Sequence, residues 1–155
     1  MRSGEGALDC VCGKKGCFER HASAVGLVTQ YRLLTAQDVR SGDDPRGHDA
    51  LSILQKMRAG SDPEAAQAWA TYIDDLSTGL ANLVTFYNPD VIALGGGLGQ
   101  APELYEGNMM ANLVDAKSLP ASRGKLRIVP ADLGTSSGAV GAALLGLGVG
   151  ISNTT

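Results

Sequence analysis

The sequence predicts an α/β fold with a largely parallel sheet, and three observations predict it. Apolar residues recur at helical spacing along one face of a long stretch ending at Tyr87. The run "DVIALGG" follows at once, apolar without alternation, as a strand buried on both faces is. Beyond it the pattern continues helix, strand, helix, the order of an α/β chain.

Taken in order, residues 1–16 read as turn and loop, broken by Gly4, Gly6, Gly13 and Gly16. A helix is expected from Cys17 to about Leu34, with Phe18, Ala22, Val25, Leu27, Val28 and Tyr31 at three- and four-residue spacings. "SGDDPRG", Ser41 to Gly47, is a loop. His48 to Met57 is a short amphipathic helix stopping near Gly60. The long helix opens with Ser61 or Asp62 as N-cap, Pro63 in the first turn and Glu64 behind it. Its face is Ala65, Ala68, Trp69, Tyr72, Ile73, Leu76, Leu80, Leu83, Val84 and Tyr87, and Asn88 and Pro89 stop it. A helix around Pro102 to Val114, a strand at Leu126 to Val129 and a final helix from Ser137 to Leu147 complete the chain. The chain opens in irregular sequence rather than at a strand, as a protein entered midway would.

Composition narrows the function classes. Among 155 residues, 44% are hydrophobic and 19% charged, enough for a core and too little charge for disorder. A net charge of −3 argues against a nucleic-acid or anionic-membrane partner, which needs a basic face. No apolar run approaches the roughly 18 residues of a membrane helix, and the first ten residues lack a signal-peptide core. The expected compartment is the cytoplasm, where thiols stay reduced.

All three cysteines fall within "CVCGKKGCFE". Cys10, Cys12 and Cys17 at C-x-C-x4-C suit a structural zinc, because thiolates about 2.3 Å from one ion need a tightly curled backbone and glycines permit the curl. A redox pair fits less well, since C-x-x-C is the usual spacing and no thioredoxin-like strand precedes it. The fourth ligand is open among His21, His48, a carboxylate or a group from outside. "ALGGGLGQ" lies between strand and helix, where small residues let a ligand or another backbone approach. It is neither the dinucleotide fingerprint nor a P-loop, so nucleotide binding and tight packing both stand. "LGTSSGAVGAALLGLG" is open in the same way. Gly138, Gly141, Ala142 and Ala143 suit close helix packing, while Ser136 or Ser137 would border a nucleotide.

"CVCGKKGCFE" with the trailing "RHAS", "NPDVIALGGGL" and "LGTSSGAVGAALLG" together resemble the ROK family of bacterial sugar kinases, open reading frames and repressors. The resemblance covers essentially the whole chain but the second half of a typical member. It implies the actin-like ATPase (ribonuclease H-like) fold, with residues 1–155 as a single partial domain of the C-terminal lobe. Residues 1–19 would form the zinc-binding loop and residues 20–155 the helical and nucleotide-facing part.

The resemblance further implies that Cys10, Cys12 and Cys17 hold Zn2+, that Glu19 contacts sugar hydroxyls, and that Gly95, Gly96 and Gly97 border the adenosine of ATP. The implied activity is ATP-dependent phosphorylation of a hexose at its 6-hydroxyl, as in glucokinase, with Mg2+ accompanying ATP. The family's phosphate loops, catalytic aspartate and E-x-G-H motif precede the part matched here, and "RSGEGALD" lacks the histidine that completes the family's zinc site. The 155 residues alone are therefore not expected to phosphorylate sugar. Two alternatives are a sugar-responsive repressor, whose DNA-binding segment would precede this part, and a catalytically inactive zinc-binding assembly module. Pairing through the C-terminal lobe makes a homodimer the expected assembly.

Overall fold

The computed structural model describes residues 4, 6–35, 50–119 and 126–146. The expected loop at Ser41 to Gly47 and His48 lie outside them.

The architecture is organised on one helix. The helices are α1 (Phe18–His21), α2 (Ala24–Leu34), α3 (Ala50–Ala59), α4 (Pro63–Tyr87), α5 (Met109–Lys117) and α6 (Ser137–Gly146), with strands β1 (Val91–Leu94) and β2 (Arg127–Pro130). Asp62 is the N-cap of α4, its Oδ1 accepting from the Ala65 amide at 2.9 Å, and Pro63 occupies the first turn. The second carboxylate oxygen accepts from the Tyr31 hydroxyl at 2.7 Å, and Lys56 Nζ donates to that hydroxyl at 2.7 Å. One carboxylate thus joins the starts and ends of α2, α3 and α4. At the other end Asn88 adopts the left-handed conformation, φ 44°, and closes the helix on the Val84 carbonyl.

Ala65, Ala68, Trp69, Tyr72, Ile73, Leu76, Leu80 and Val84 of α4 are buried against Leu27 and Val28 of α2, Ile53 and Leu54 of α3, and Met110 and Val114 of α5. The spacing also put Leu83 and Tyr87 on this face, but they are 42% and 77% exposed. The apolar pattern widens near the end of α4, and no described element covers that flank. Lys117 staples α5 to α4, donating to the Asp74 carboxylate at 2.7 Å, the Ser77 hydroxyl at 2.7 Å and the Thr78 hydroxyl at 2.9 Å. Arg58 and Glu103 join α3 to the turns that follow β1.

Three elements differ from expectation. The helix predicted over Cys17 to Leu34 is two helices, broken at Ala22 and Ser23. Ser23 is extended and its Oγ accepts from the Gly26 amide at 3.2 Å, so it caps a new helix. The two must cross closely, because a Cβ on Gly26 would lie 2.3 Å from the His21 carbonyl oxygen. The helix predicted from Pro102 begins only at Met109, after 3-10 turns at Leu98–Gln100, Pro102–Leu104 and Glu106–Asn108. Left-handed Gly107 and Asn108 (φ 58° and 56°) interrupt it.

β1 pairs with β2 in parallel, in register from Val91 opposite Arg127 to Leu94 opposite Pro130. It is not buried on both faces. Ile92, Leu94 and Ile128 pack on the core, whereas Val91 and Ala93 are exposed, because the described residues supply a layer on one side only. α6 likewise has no buried residue. Among the described residues, no helix is long and apolar enough to cross a membrane.

α1 docks on α4 through Phe18. A Cβ on Gly79, inside α4, would lie 2.0 Å from the Phe18 ring. In an open helix Gly→Ala gains about 0.5–1 kcal/mol. Here Gly79→Ala must expel the ring, so its melting temperature is expected to fall. A rise would mean that the ring anchors nothing.

Candidate functional site

Two features carry chemistry: a thiol knuckle before α1 and a cavity beside the loop after β1.

The knuckle is a tight backbone fold. An isolated antiparallel bridge pairs Asp9 with Lys15. The Cys10 amide donates to the Lys14 carbonyl at 2.9 Å, and the Gly13 amide returns to the Cys10 carbonyl at 2.9 Å. Gly13 and Gly16 take φ of 81° and 71°, the left-handed region that side chains disfavour. The curl brings Cys10, Cys12 and Cys17 together with their sulfurs within 4.8 Å of one another, and Cys12 and Cys17 at 3.4 Å. A tetrahedral ion with sulfur at about 2.3 Å holds its thiolates about 3.8 Å apart, so the donor set fits such an ion.

The thiols' acidities point the same way. The Lys14 amide, then the Cys17 and Cys10 thiols, hold the Cys12 thiol below its usual range. Cys17 is pushed up to about 11, chiefly by Cys12 and then by Cys10. Hydrogen bonding within the cluster favours the thiolate at Cys12 and keeps the proton on Cys17, a proton that a bound cation would displace.

His21, a candidate fourth ligand, does something else. It is 2% exposed, its Nε2 accepts from the Leu8 amide at 3.1 Å, and its Nδ1 lies 3.3 Å from Asp75 Oδ2 on α4. Since Nε2 accepts, the ring proton belongs on Nδ1, facing Asp75. The residue therefore clips the knuckle's entry strand to the long helix. Arg20 adds a second clip, donating from Nε to the Asp9 carbonyl at 3.0 Å. Glu19 stands between them, exposed on α1, with no hydrogen-bond or ion-pair partner among the described residues.

The cavity, about 360 Å³, is bounded by Ala93 to Gly99, by Ala22, Ser23 and Ala24 at the α1–α2 break, and by Tyr72 and Leu76 of α4. Among the described residues, no charged side chain lines it. A Cβ on Gly95, Gly96 or Gly97 would meet nothing within 4 Å among the described residues, so packing does not demand these glycines, although Gly96 at φ 79° suits glycine by its backbone. Gly99 differs: a Cβ there would lie 2.7 Å from the Leu94 carbonyl oxygen, so this glycine serves packing. Ser136 and Ser137 are not among the lining residues, and the Ser137 hydroxyl donates to the Gly134 carbonyl at 2.7 Å. Sequence reasoning missed Ser23 and Tyr72 as cavity walls. Their spacing signals a cap and a core position, and nothing local announces a cavity formed by residues far apart in the chain.

Replacing His21 by Phe keeps an aromatic ring, somewhat larger, but leaves the Leu8 amide and Asp75 without their buried partner. A loss of about 1–3 kcal/mol in unfolding free energy is expected, with faster amide exchange at Leu8. Unchanged exchange would show that the clip does not hold the knuckle.

The family model described as the ROK family matches residues 2–148. The chain is 37% identical over 143 residues to the N-acetylgalactosamine kinase AgaK of Shewanella sp. strain ANA-3, covering 90% of this chain and 41% of that protein. It is 30% identical over 143 residues to the N-acetyl-D-glucosamine kinase of Aliivibrio salmonicida, covering 90% and 42%. The solved ROK hexokinase of Thermus thermophilus superposes with a TM-score of 0.70 at 25% identity, covering 97% of this chain and 48% of that one. The chain spans about two fifths of the length of these curated relatives. Its fold is that of the actin-like ATPases, seen here as a helix-rich partial lobe with a small parallel sheet. By the extent of the family match, this chain is a member of the ROK family.

Proposed function

We propose that the chain is the nucleoside-binding and metal-binding part of an ATP-dependent sugar kinase acting on a hexose or its N-acetylamino derivative. The observation that carries this reading is the cavity beside Gly95, Gly96 and Gly97, which is open and whose described lining residues carry no charge. Such a space admits a flat apolar group, and the relatives named above are sugar kinases. In this reading the three glycines border the adenosine and leave its phosphates, with their Mg2+, outside the cavity.

Cys10, Cys12 and Cys17 would hold Zn2+, whose role is structural: it neutralises the crowded thiolates and keeps the knuckle closed. The knuckle leads directly into α1, so its rigidity would position Glu19 to accept hydrogen bonds from sugar hydroxyls. Exposed, charged and without a partner among the described residues, Glu19 suits that role. The reducing compartment that free thiolates need is the cytoplasm. A homodimer is the proposed assembly. None of the residues assigned here takes the proton of the attacking hydroxyl, a step phosphoryl transfer requires.

Two experiments test this reading. Elemental analysis is expected to find close to one zinc per chain, lost readily to a chelator, and Cys12→Ser is expected to lower both zinc and soluble yield. Unchanged zinc in that variant would place the metal elsewhere. ATP should bind the 155-residue chain without sugar-dependent ADP release when glucose or N-acetylglucosamine is supplied. Gly97, at φ −61° and ψ −47°, tolerates a side chain, so Gly97→Leu should fill the cavity and abolish ATP binding without lowering the melting temperature. Binding that survives Gly97→Leu would remove the nucleotide from this cavity.

A further inference from the structure

We infer that Tyr72 hydrogen-bonds the polar edge of a purine base in this cavity and so selects the base, an inference that rests on the nucleotide reading above. Tyr72 is 4% exposed and lines the cavity from α4. Its hydroxyl has no hydrogen-bond partner among the described residues. The ring is buried but the hydroxyl is not sealed off, so it is free to exchange a hydrogen bond with a ligand's polar atom in the space that Tyr72 lines. The neighbouring Tyr105 hydroxyl cannot serve in its place, because it donates to the Gly99 carbonyl at the cavity wall.

The lining decides what kind of ligand this is. A hexose carries hydroxyls around its ring and needs several polar side chains. Among the described lining residues the side-chain hydroxyls are those of Tyr72 and Ser23, and Ser23 already accepts from the Gly26 amide, which leaves it one proton to donate. A phosphate would find no charged side chain among the described residues that line the space, so it is disfavoured there. What remains is a flat, mostly apolar ring system with one or two polar edge atoms, which describes a nucleobase. Burial, and secondarily Tyr105, push the Tyr72 phenol up to about 12, so at neutral pH its hydroxyl can both donate and accept. The Tyr72 ring stacks on Trp69, centroids 5.2 Å apart, which restrains the phenol and puts the chain's single tryptophan beside the site.

The test uses that tryptophan. Adenosine and purine riboside, which lacks the exocyclic amine, are titrated into the 155-residue chain and into Tyr72→Phe, following Trp69 fluorescence and confirming by equilibrium dialysis. The unaltered chain is expected to bind adenosine saturably and to prefer it over purine riboside. Tyr72→Phe should bind adenosine about three- to tenfold more weakly, as expected for one lost neutral hydrogen bond. It should also lose most of the preference between the two ligands, at an unchanged melting temperature. Equal adenosine affinity in Tyr72→Phe, or an undiminished preference, would overturn the role of Tyr72 while leaving the nucleotide reading standing. Failure of the unaltered chain to bind adenosine by either method would overturn both.

Discussion

Burial of one face of α4 is the constraint on which the other elements depend. α2, α3 and α5 each bury their own apolar residues against it, and α1 meets it through the Phe18 ring on Gly79 and through His21 and Asp75. A sheet whose described part is two short strands has little capacity to organise a fold of its own. The helix takes that part. Its polar ties sit where the apolar contacts end: the Asp62 carboxylate at one end, and Lys117 on Asp74, Ser77 and Thr78 midway along.

What the sequence made legible is what local chemistry determines. Asp62, Pro63 and the Asn88–Pro89 stop are local signals, and α4 begins and ends where they place it. The curl of the thiol knuckle needs only Gly13, Gly16 and the cysteine spacing, and the sulfurs do converge. The parallel pairing of β1 and β2 follows from the order of patterns.

The rest is set by contacts between residues far apart. The break at Ala22 and Ser23 exists because Gly26 crosses the His21 carbonyl, and helical spacing runs through it unmarked. His21 and Asp75 are distant in sequence, so the histidine stands there as one of several candidate fourth ligands. The uniform apolar run of β1 predicted two covered faces, yet Val91 and Ala93 have no described layer above them. A pattern reports the environment a strand is suited to, not which part of the chain supplies it. The glycines divide the same way: Gly99 is required by the Leu94 carbonyl, while Gly95 and Gly97 show no internal reason to be glycine.

The knuckle and the cavity are joined by a very short length of chain. Cys17 precedes α1 directly, α1 is a single turn, and Ala22, Ser23 and Ala24 form a cavity wall just beyond it. Neither end can move alone. The Phe18 ring and the buried His21 hold α1 against α4, and the Gly26 crossing fixes α2 on the end of α1. Loss of the three-sulfur arrangement would act first at Cys17, then on the orientation of Glu19, and then on the wall at Ser23. The same α4 that receives His21 through Asp75 presents Tyr72 and Leu76 to the cavity. An ion held by the thiols would therefore bear on the cavity by two mechanical routes, along α1 and through α4, without lining it. In the proposed reading, a metal at the surface and a nucleoside behind a helix break would keep the two chemistries apart while making their geometries interdependent.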